Sequence, residues 1–475
     1  MSAIITNQFR KNSRELFIND IDTNTNYFIG IGKSEPWPTI NNVEESDLNY
    51  SVPLPSNTII EKTDALKNLI SLLKVQSTFT VIPRDEWVSG RVYKVYDPSD
   101  PNIFNYETIG NTAYYPCYMT HNDHIFVCIK NTSPTAGQEG VIVPSTTNVT
   151  ATGFTGQPGV LTDGYSWAYV CDLTTTSDFY TNQFVDIPDN LTVQTDIDNA
   201  RTATGGKVYG FKVNNGGTGI SAQDITLIGK DSLGAPIADV NIRTGVNDQA
   251  PYVVTIVGGV ITAITITTDQ WPAGYAEASV VVAGVATDIQ PLVAPIDGFG
   301  FSPRSDLPSF YAGLFAAYAG GVGGEAPVGL GFRQVSLVKD ATRTDNDVPA
   351  NGTLNIYDTL PYLQLSSSTG IPTDAGTVIA HATNKSKAYL DYVDATNHRV
   401  YYHQNSSGEI NQKPIETGDV TFTSPGGTTT SAYTVSAIVQ GEYNQGSGET
   451  LFLENRKAIL RNNNQQEDIK LVIQF

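Results

Sequence analysis

Gly32-Lys33-Ser34, inside the run Tyr27-Phe-Ile-Gly-Ile-Gly-Lys-Ser-Glu-Pro-Trp-Pro38, comes nearest of any stretch in this chain to phosphate chemistry. A phosphate-cradling loop has the form Gly-x-x-x-x-Gly-Lys-Ser/Thr and opens a helix whose N-terminus holds the anion. Here the position of the required first glycine is Tyr27. Pro36 and Pro38 fall where the helix must form, and each removes an N–H and clashes with the preceding turn. The nucleotide reading fails, and a strand over Tyr27 to Ile31 running into a Gly and Pro turn that presents Trp37 replaces it.

Four soft ligands, Cys117, His121, His124 and Cys128, offer a second chemistry. Zinc requires such side chains to converge tetrahedrally. A hairpin turning at His121 to Asp123 puts both histidines at its tip and both cysteines up its arms, roughly 10 Å or more away at about 3.3 Å per strand residue. No metal site is expected from that geometry. Carboxylate pairs such as Glu44 and Glu45 or Asp85 and Glu86 are read as solvated loop charge, no Gly-x-Ser-x-Gly elbow is present, and none of the five histidines sits in a nucleophile motif. The expectation is therefore no enzyme, no cofactor and no small-molecule substrate.

Composition narrows the class further. A chain of 475 residues is expected to divide into two to four modules. With 42 Gly, 25 Pro and 24 Tyr but only 16% charged residues, its vocabulary is that of strands and turns. The formal net charge of -20 repels phosphate backbones and anionic lipid, so neither nucleic acid nor a membrane surface is an expected partner. The N-terminus shows no signal-peptide apolar core, and no apolar run approaches the roughly 18 residues of a membrane span. Three cysteines are too few, and odd in number, for a disulfide framework.

Taken in order, residues 2 to 32 are read as two strands around a polar connector. Leu66, Leu69, Ile70 and Leu73 step at three and four, which predicts an amphipathic helix over Lys62 to Val75 with Thr63 as N-cap. Tyr114 to Lys130 predicts a hairpin, 131 to 160 an exposed loop, and Asp163 to Asp172 an aromatic strand. Residues 205 to 290 contain two Gly-Gly units beside alternating strands, a degenerate repeat in a small all-β insert. A short helix is expected over Leu307 to Tyr318 and a strand over Gly331 to Val338. Residues 352 to 445 carry further strands, and alternation of Ile469, Leu471, Ile473 and Phe475 predicts a half-buried final one.

Several motifs carry a family resemblance. Gly32-Lys-Ser-Glu-Pro-Trp37, Val81-Ile-Pro-Arg-Asp-Glu-Trp87, Asp163-Gly-Tyr-Ser-Trp-Ala-Tyr169, Gly331-Phe-Arg-Gln-Val-Ser336, Gly448-Glu-Thr-Leu-Phe-Leu-Glu-Asn-Arg456 and Asp468-Ile-Lys-Leu-Val-Ile-Gln-Phe475 occur in colinear order. Together they resemble the baseplate wedge subunits, of the gene product eight type, of T-even-like contractile-tailed bacteriophages. The resemblance implies a mostly β protein with a layered β-sandwich core and helix-containing loops, while residues 205–290 and 352–445 depart from the family pattern and are read as two inserted small all-β modules. The expected divisions are core over 1–196, insert over 205–290, core over 297–345, second insert over 352–445 and core strands over 446–475. It further implies a homodimer that binds other baseplate wedge proteins, built in the host cytoplasm and residing in the virion's tail baseplate. Trp37, Arg84, Trp87, Trp167 and Arg333 lie inside the matching motifs, and such residues anchor interfaces. Core packing is the alternative at each. A receptor- or glycan-binding tail protein is the alternative for the whole chain.

Overall fold

The computed structural model describes residues 5–24, 26–131, 163–268, 271–318, 329–344, 356–406, 410, 413–462 and 465–475. Nearly all of the loop expected over 131–160, and the Gly320 to Gly324 run, fall outside them. Among the described residues the chain is mostly β, with antiparallel sheets predominating. It divides into two compact units, each assembled from separated segments: one from 1–16, 79–313 and 472–475, the other from 17–78 and 314–471. Residues 1–196, expected as the N-terminal part of the core, contribute to both units.

The unit containing 17–78 and 314–471 is organised around the strand Tyr27–Gly32, all six of whose residues are buried. It is central in a five-stranded antiparallel sheet, between Leu69–Lys74 and Gly331–Lys339, with Ile356–Asp358 and Glu449–Leu460 at the edges. Phe28, Leu66, Leu69, Leu72, Val338, Tyr357 and Tyr443 form a core on this sheet. The same unit holds a closed six-stranded barrel. In barrel order its strands are Tyr362–Leu365, Arg399–His403, Lys387–Asp394, Val378–His381, Gly418–Thr423 and Tyr433–Val439, and the last pairs back onto the first. Closure removes the sheet edges, and Leu363, Ile379, Leu390, Val400, Val420, Phe422 and Val435 fill the interior.

The other unit contains the hairpin Tyr118–His121 and His124–Asn131, extended by Tyr165–Asp172. Its turn is tight because Asn122 and Asp123 both take positive φ, 48° and 63°, a conformation these two residue types tolerate. After the helix Gln194–Thr204, the described residues of 205–293 are strands and turns. Val208–Asn215 pairs with Asp288–Val293, Tyr252–Val257 pairs with Val260–Ile266, and Asn247–Asp248, Pro236–Thr244, Ile225–Lys230 and Glu277–Val282 form a four-stranded sheet. One apolar cluster runs from Ile125, Val127 and Val170 through Val208 and Leu227 to Ile264 and Trp271.

Three elements differ from the sequence reading. Residues Asn7–Thr23 are a helix, not a strand and connector. Its buried positions, Lys11, Arg14, Ile18 and Ile21, do step at three and four, but two of them are cations, so a hydrophobicity pattern does not register the face. The helix expected over Lys62 to Val75 runs instead from Ile59 to Lys67, capped by Thr58, whose Oγ1 accepts from the Glu61 N–H at 3.2 Å. Leu69–Lys74 beyond it is a strand paired on both sides. A strand buried on both faces is a continuous apolar run, which periodicity alone does not separate from a helix. Tyr311–Tyr318, expected within a helix, is likewise a strand with six of its eight residues buried. At Gly313 a Cβ would lie 2.9 Å from the Phe179 ring, so the glycine makes room for an aromatic neighbour.

Candidate functional site

Gly32 ends its strand at a register shift, and its Cβ position lies 2.6 Å from the Asn68 carbonyl oxygen, just before the neighbouring strand Leu69–Lys74. Close approach of two backbones, with Lys33 N–H donating to that same carbonyl at 3.0 Å, is what demands a glycine here. Replacing Gly32 by Ala is expected to cost about 1–3 kcal/mol through overpacking against backbone. A urea midpoint equal to that of the parent protein would show the contact to be relaxed at no cost.

Lys33 then takes a left-handed conformation, φ 61°, and the chain turns so that Ser34 and Glu35 point inward while Trp37 emerges half-buried. Glu35, 3% exposed, is met by the Lys33 ammonium, by Asn405 Nδ2 at 3.0 Å and by His403 Nε2 at 3.2 Å. His403 Nδ1 lies 2.8 and 2.9 Å from the two carboxylate oxygens of Asp391, which also accepts the Ser34 hydroxyl. Two carboxylates and two cations thus cancel inside the unit, the condition under which buried charge is tolerated. Burial alone would drive the Glu35 carboxyl up, but His403 and Lys33 outweigh it and hold it at about 2. Burial would likewise lower His403, and Asp391 and Glu35 together raise it to about 10.

A chain of amides extends the network. Asn405 donates to Asn68 Oδ1 at 2.7 Å, Asn68 to Gln334 Oε1 at 3.1 Å, Gln334 to Asn455 Oδ1 at 3.0 Å and Asn455 to the Pro53 carbonyl at 2.9 Å. These groups face a cleft of about 490 Å³ bordered by Glu35, Trp37, Asp64, Asn68, Tyr389 and Asn405. The arrangement is a brace. A protonated imidazole held between two carboxylates has no free lone pair with which to take a proton, and the Ser34 hydroxyl is committed to Asp391.

The residues singled out from sequence fall into two groups. Arg333 is 6% exposed and clamps Glu45, its Nε 2.7 and 2.9 Å from the carboxylate oxygens, while Nη1 donates to the Ser34 carbonyl. Trp167 is 1% exposed, stacked 5.8 Å from Tyr165 and edge-on 5.0 Å from Tyr93. Both side chains are enclosed within the chain, the arrangement that core packing, the alternative at each, expects. Trp37, Arg84 and Trp87 remain partly accessible. The Trp37 indole donates to the Arg456 carbonyl at 2.7 Å and lies 4.7 Å beneath the Lys33 ammonium. Arg84 pairs with Glu86 and sits 4.8 Å above the Tyr180 ring, and Trp87 packs edge-on against His121 at 6.1 Å.

Cys117 and Cys128 are fully buried free thiols belonging to different apolar clusters, and burial pushes both well up. His124 contacts Asp172 at 2.5 Å, so the four soft ligands are directed to separate neighbours. Among the described residues no group of three or more His, Cys, Asp or Glu side chains gathers as a metal site would require. Sequence reasoning missed the Glu35, His403 and Asp391 network. A separation of 370 residues between Glu35 and Asn405 shows why, since no local spacing signals it.

Residues 3–117, which contain the helix Asn7–Thr23, the Gly32 to Trp37 turn and the Val81 to Trp87 segment, match the family described as Bacteriophage T4, Gp8. Baseplate wedge protein gp8 of Enterobacteria phage T4 is 33% identical to this chain over 91 residues, 18% of the chain and 26% of that protein. The match therefore spans about a quarter of the relative's length, and the motifs at 163–169, 331–336, 448–456 and 468–475 lie outside the stretch matched by the family. Over residues 3–117 the chain is similar to the gp8-type baseplate wedge subunits.

Proposed function

We propose that this chain is a structural, non-enzymatic wedge subunit of a contractile phage tail baseplate, located in the virion, which dimerises and binds other wedge proteins. Its part in sheath contraction is mechanical, through rearrangement of the sector it helps to build. The observation that carries this reading is the similarity over 3–117, which takes in both the Gly32 to Trp37 turn and the Val81 to Trp87 segment. A mostly β chain with a closed barrel and internally neutralised charge also fits a part that must be stiff and has no turnover to perform.

Partly accessible Trp37, Arg84 and Trp87 are the anchors this reading favours, since buried aromatic and arginine side chains dominate interface energetics. Trp37→Ala and Arg84→Ala should leave the purified subunit folded and dimeric by light scattering. Each should weaken capture of neighbouring wedge proteins by about 2 kcal/mol or more, the usual hot-spot scale. A monomer of 51.2 kDa in the parent protein would contradict the dimer. Unchanged capture by both variants would contradict the anchor assignment.

A further inference from the structure

The helix Asn7–Thr23 buries two cations in the unit that contains 79–313: Lys11, 9% exposed, and Arg14, 2% exposed. Both line a cavity of about 390 Å³, together with Arg304, Asn190, Thr192 and Ser302. Three cations share the lining with two carboxylates, Glu15 and Asp189, so the cavity is net positive in a chain of net charge -20.

Most of the contacts they make are with neutral groups. Arg14 Nε donates to the Ser309 carbonyl at 3.0 Å and Nη1 to Thr80 Oγ1 at 2.8 Å, while the Lys11 ammonium donates to the Ser305 carbonyl. Arg14 Nη2 has no protein acceptor among the described residues. Arg304 pairs with Asp189, a carboxylate that is itself 76% exposed, and its Nε is buried with no acceptor among the described residues. Glu15 at the rim is exposed, and buried Asp306 accepts the Gly300 N–H at 2.7 Å. A buried cation without an anionic partner is costly, and guanidinium groups with unused N–H donors match an oxyanion in both shape and charge. Burial lowers Lys11 to about 8 against the opposing charge of Asp306, and burial with the neighbouring Arg304 lowers Arg14 to about 10 against Glu15 and Asp189.

We infer that this cavity is an oxyanion-binding site, taking one carboxylate or phosphate group between Arg14 and Arg304 with the Lys11 ammonium contributing charge. The three cations come from two chain segments far apart in sequence, so a bound anion would tie the N-terminal helix to the segment around Ser302 to Ser305.

The full chain at pH 7 would be titrated with inorganic phosphate and, separately, with acetate, against chloride at matched ionic strength, following calorimetry and the melting temperature. Saturable binding that raises the melting temperature with anion concentration is expected. Phosphate alone or both anions would assign a phosphate-type group, and acetate alone a carboxylate. Arg304→Gln, at a half-exposed position, and Lys11→Met should each weaken the affinity about tenfold or more while leaving the circular dichroism unchanged. Arg14→Gln is the more direct change, but its burial makes a folding defect expected, so the other two variants decide the matter. No saturable response to either anion, or equal responses in the parent protein, Arg304→Gln and Lys11→Met, would overturn the assignment.

Discussion

Replacing His403 by Gln should destabilise its unit by about 3–5 kcal/mol, the cost typical of removing one partner from a buried ion pair. The imidazole is wholly buried and faces Glu35 at 3.2 Å and Asp391 at 2.8 Å, so a neutral side chain would leave two enclosed carboxylates facing one remaining cation, Lys33. The pH dependence separates this charge effect from loss of packing. His403 is raised from 6.5 to about 10, so its contribution is fully present below pH 6.5 and disappears as pH rises through about 10. Glu35 is lowered from 4.5 to about 2, so its contribution is present above pH 4.5 and disappears as pH falls through about 2. Stability from the pair is greatest between those limits. In His403→Gln the alkaline decline should vanish, and acidification should recover part of the loss as the stranded carboxylates protonate. Urea denaturation across pH would measure both, and a parallel drop at every pH would point to packing instead.

Trp167→Ala should cost a similar amount, about 3–5 kcal/mol, in the other unit. Its indole fills the space between Tyr165, Tyr93 and Cys128, and its Nε1 has no hydrogen-bond acceptor among the described residues, so the residue contributes volume and stacking but no polar contact. Trp167→Phe should therefore lose much less than Trp167→Ala. Denaturation followed by fluorescence and circular dichroism would test the order. A Trp167→Ala protein with an unchanged midpoint but lost partner binding would make this residue an interface anchor.

These two sites differ in how far the sequence reveals them. Trp167 lies in an aromatic strand whose type is plain from Tyr165-Ser-Trp-Ala-Tyr-Val, and what remained open was only which side of it faces a neighbour. Barrel strands such as Lys387–Asp394 and Arg399–His403 are similarly legible from residue type, whereas closure of six of them depends on pairing between Tyr362–Leu365 and Tyr433–Val439, which no local pattern encodes. The N-terminal helix and the strand Leu69–Lys74 were not legible for opposite reasons. One hides its buried face behind Lys11 and Arg14, and the other is apolar on both faces and so has no face to read. The Gly32-Lys33-Ser34 run shows a third limit. Its glycine serves a backbone approach and its lysine a buried carboxylate, roles set by Asn68 and Glu35 and not by the phosphate that the residue types first bring to mind.

A density map of the whole tail tests the wedge assignment most directly. The chain should be found in the baseplate, beside a second copy and other wedge proteins, with Trp37, Arg84 or Trp87 at a contact. Density for it confined to fibre tips, or absent from the baseplate, would contradict a wedge subunit and favour a receptor-binding role.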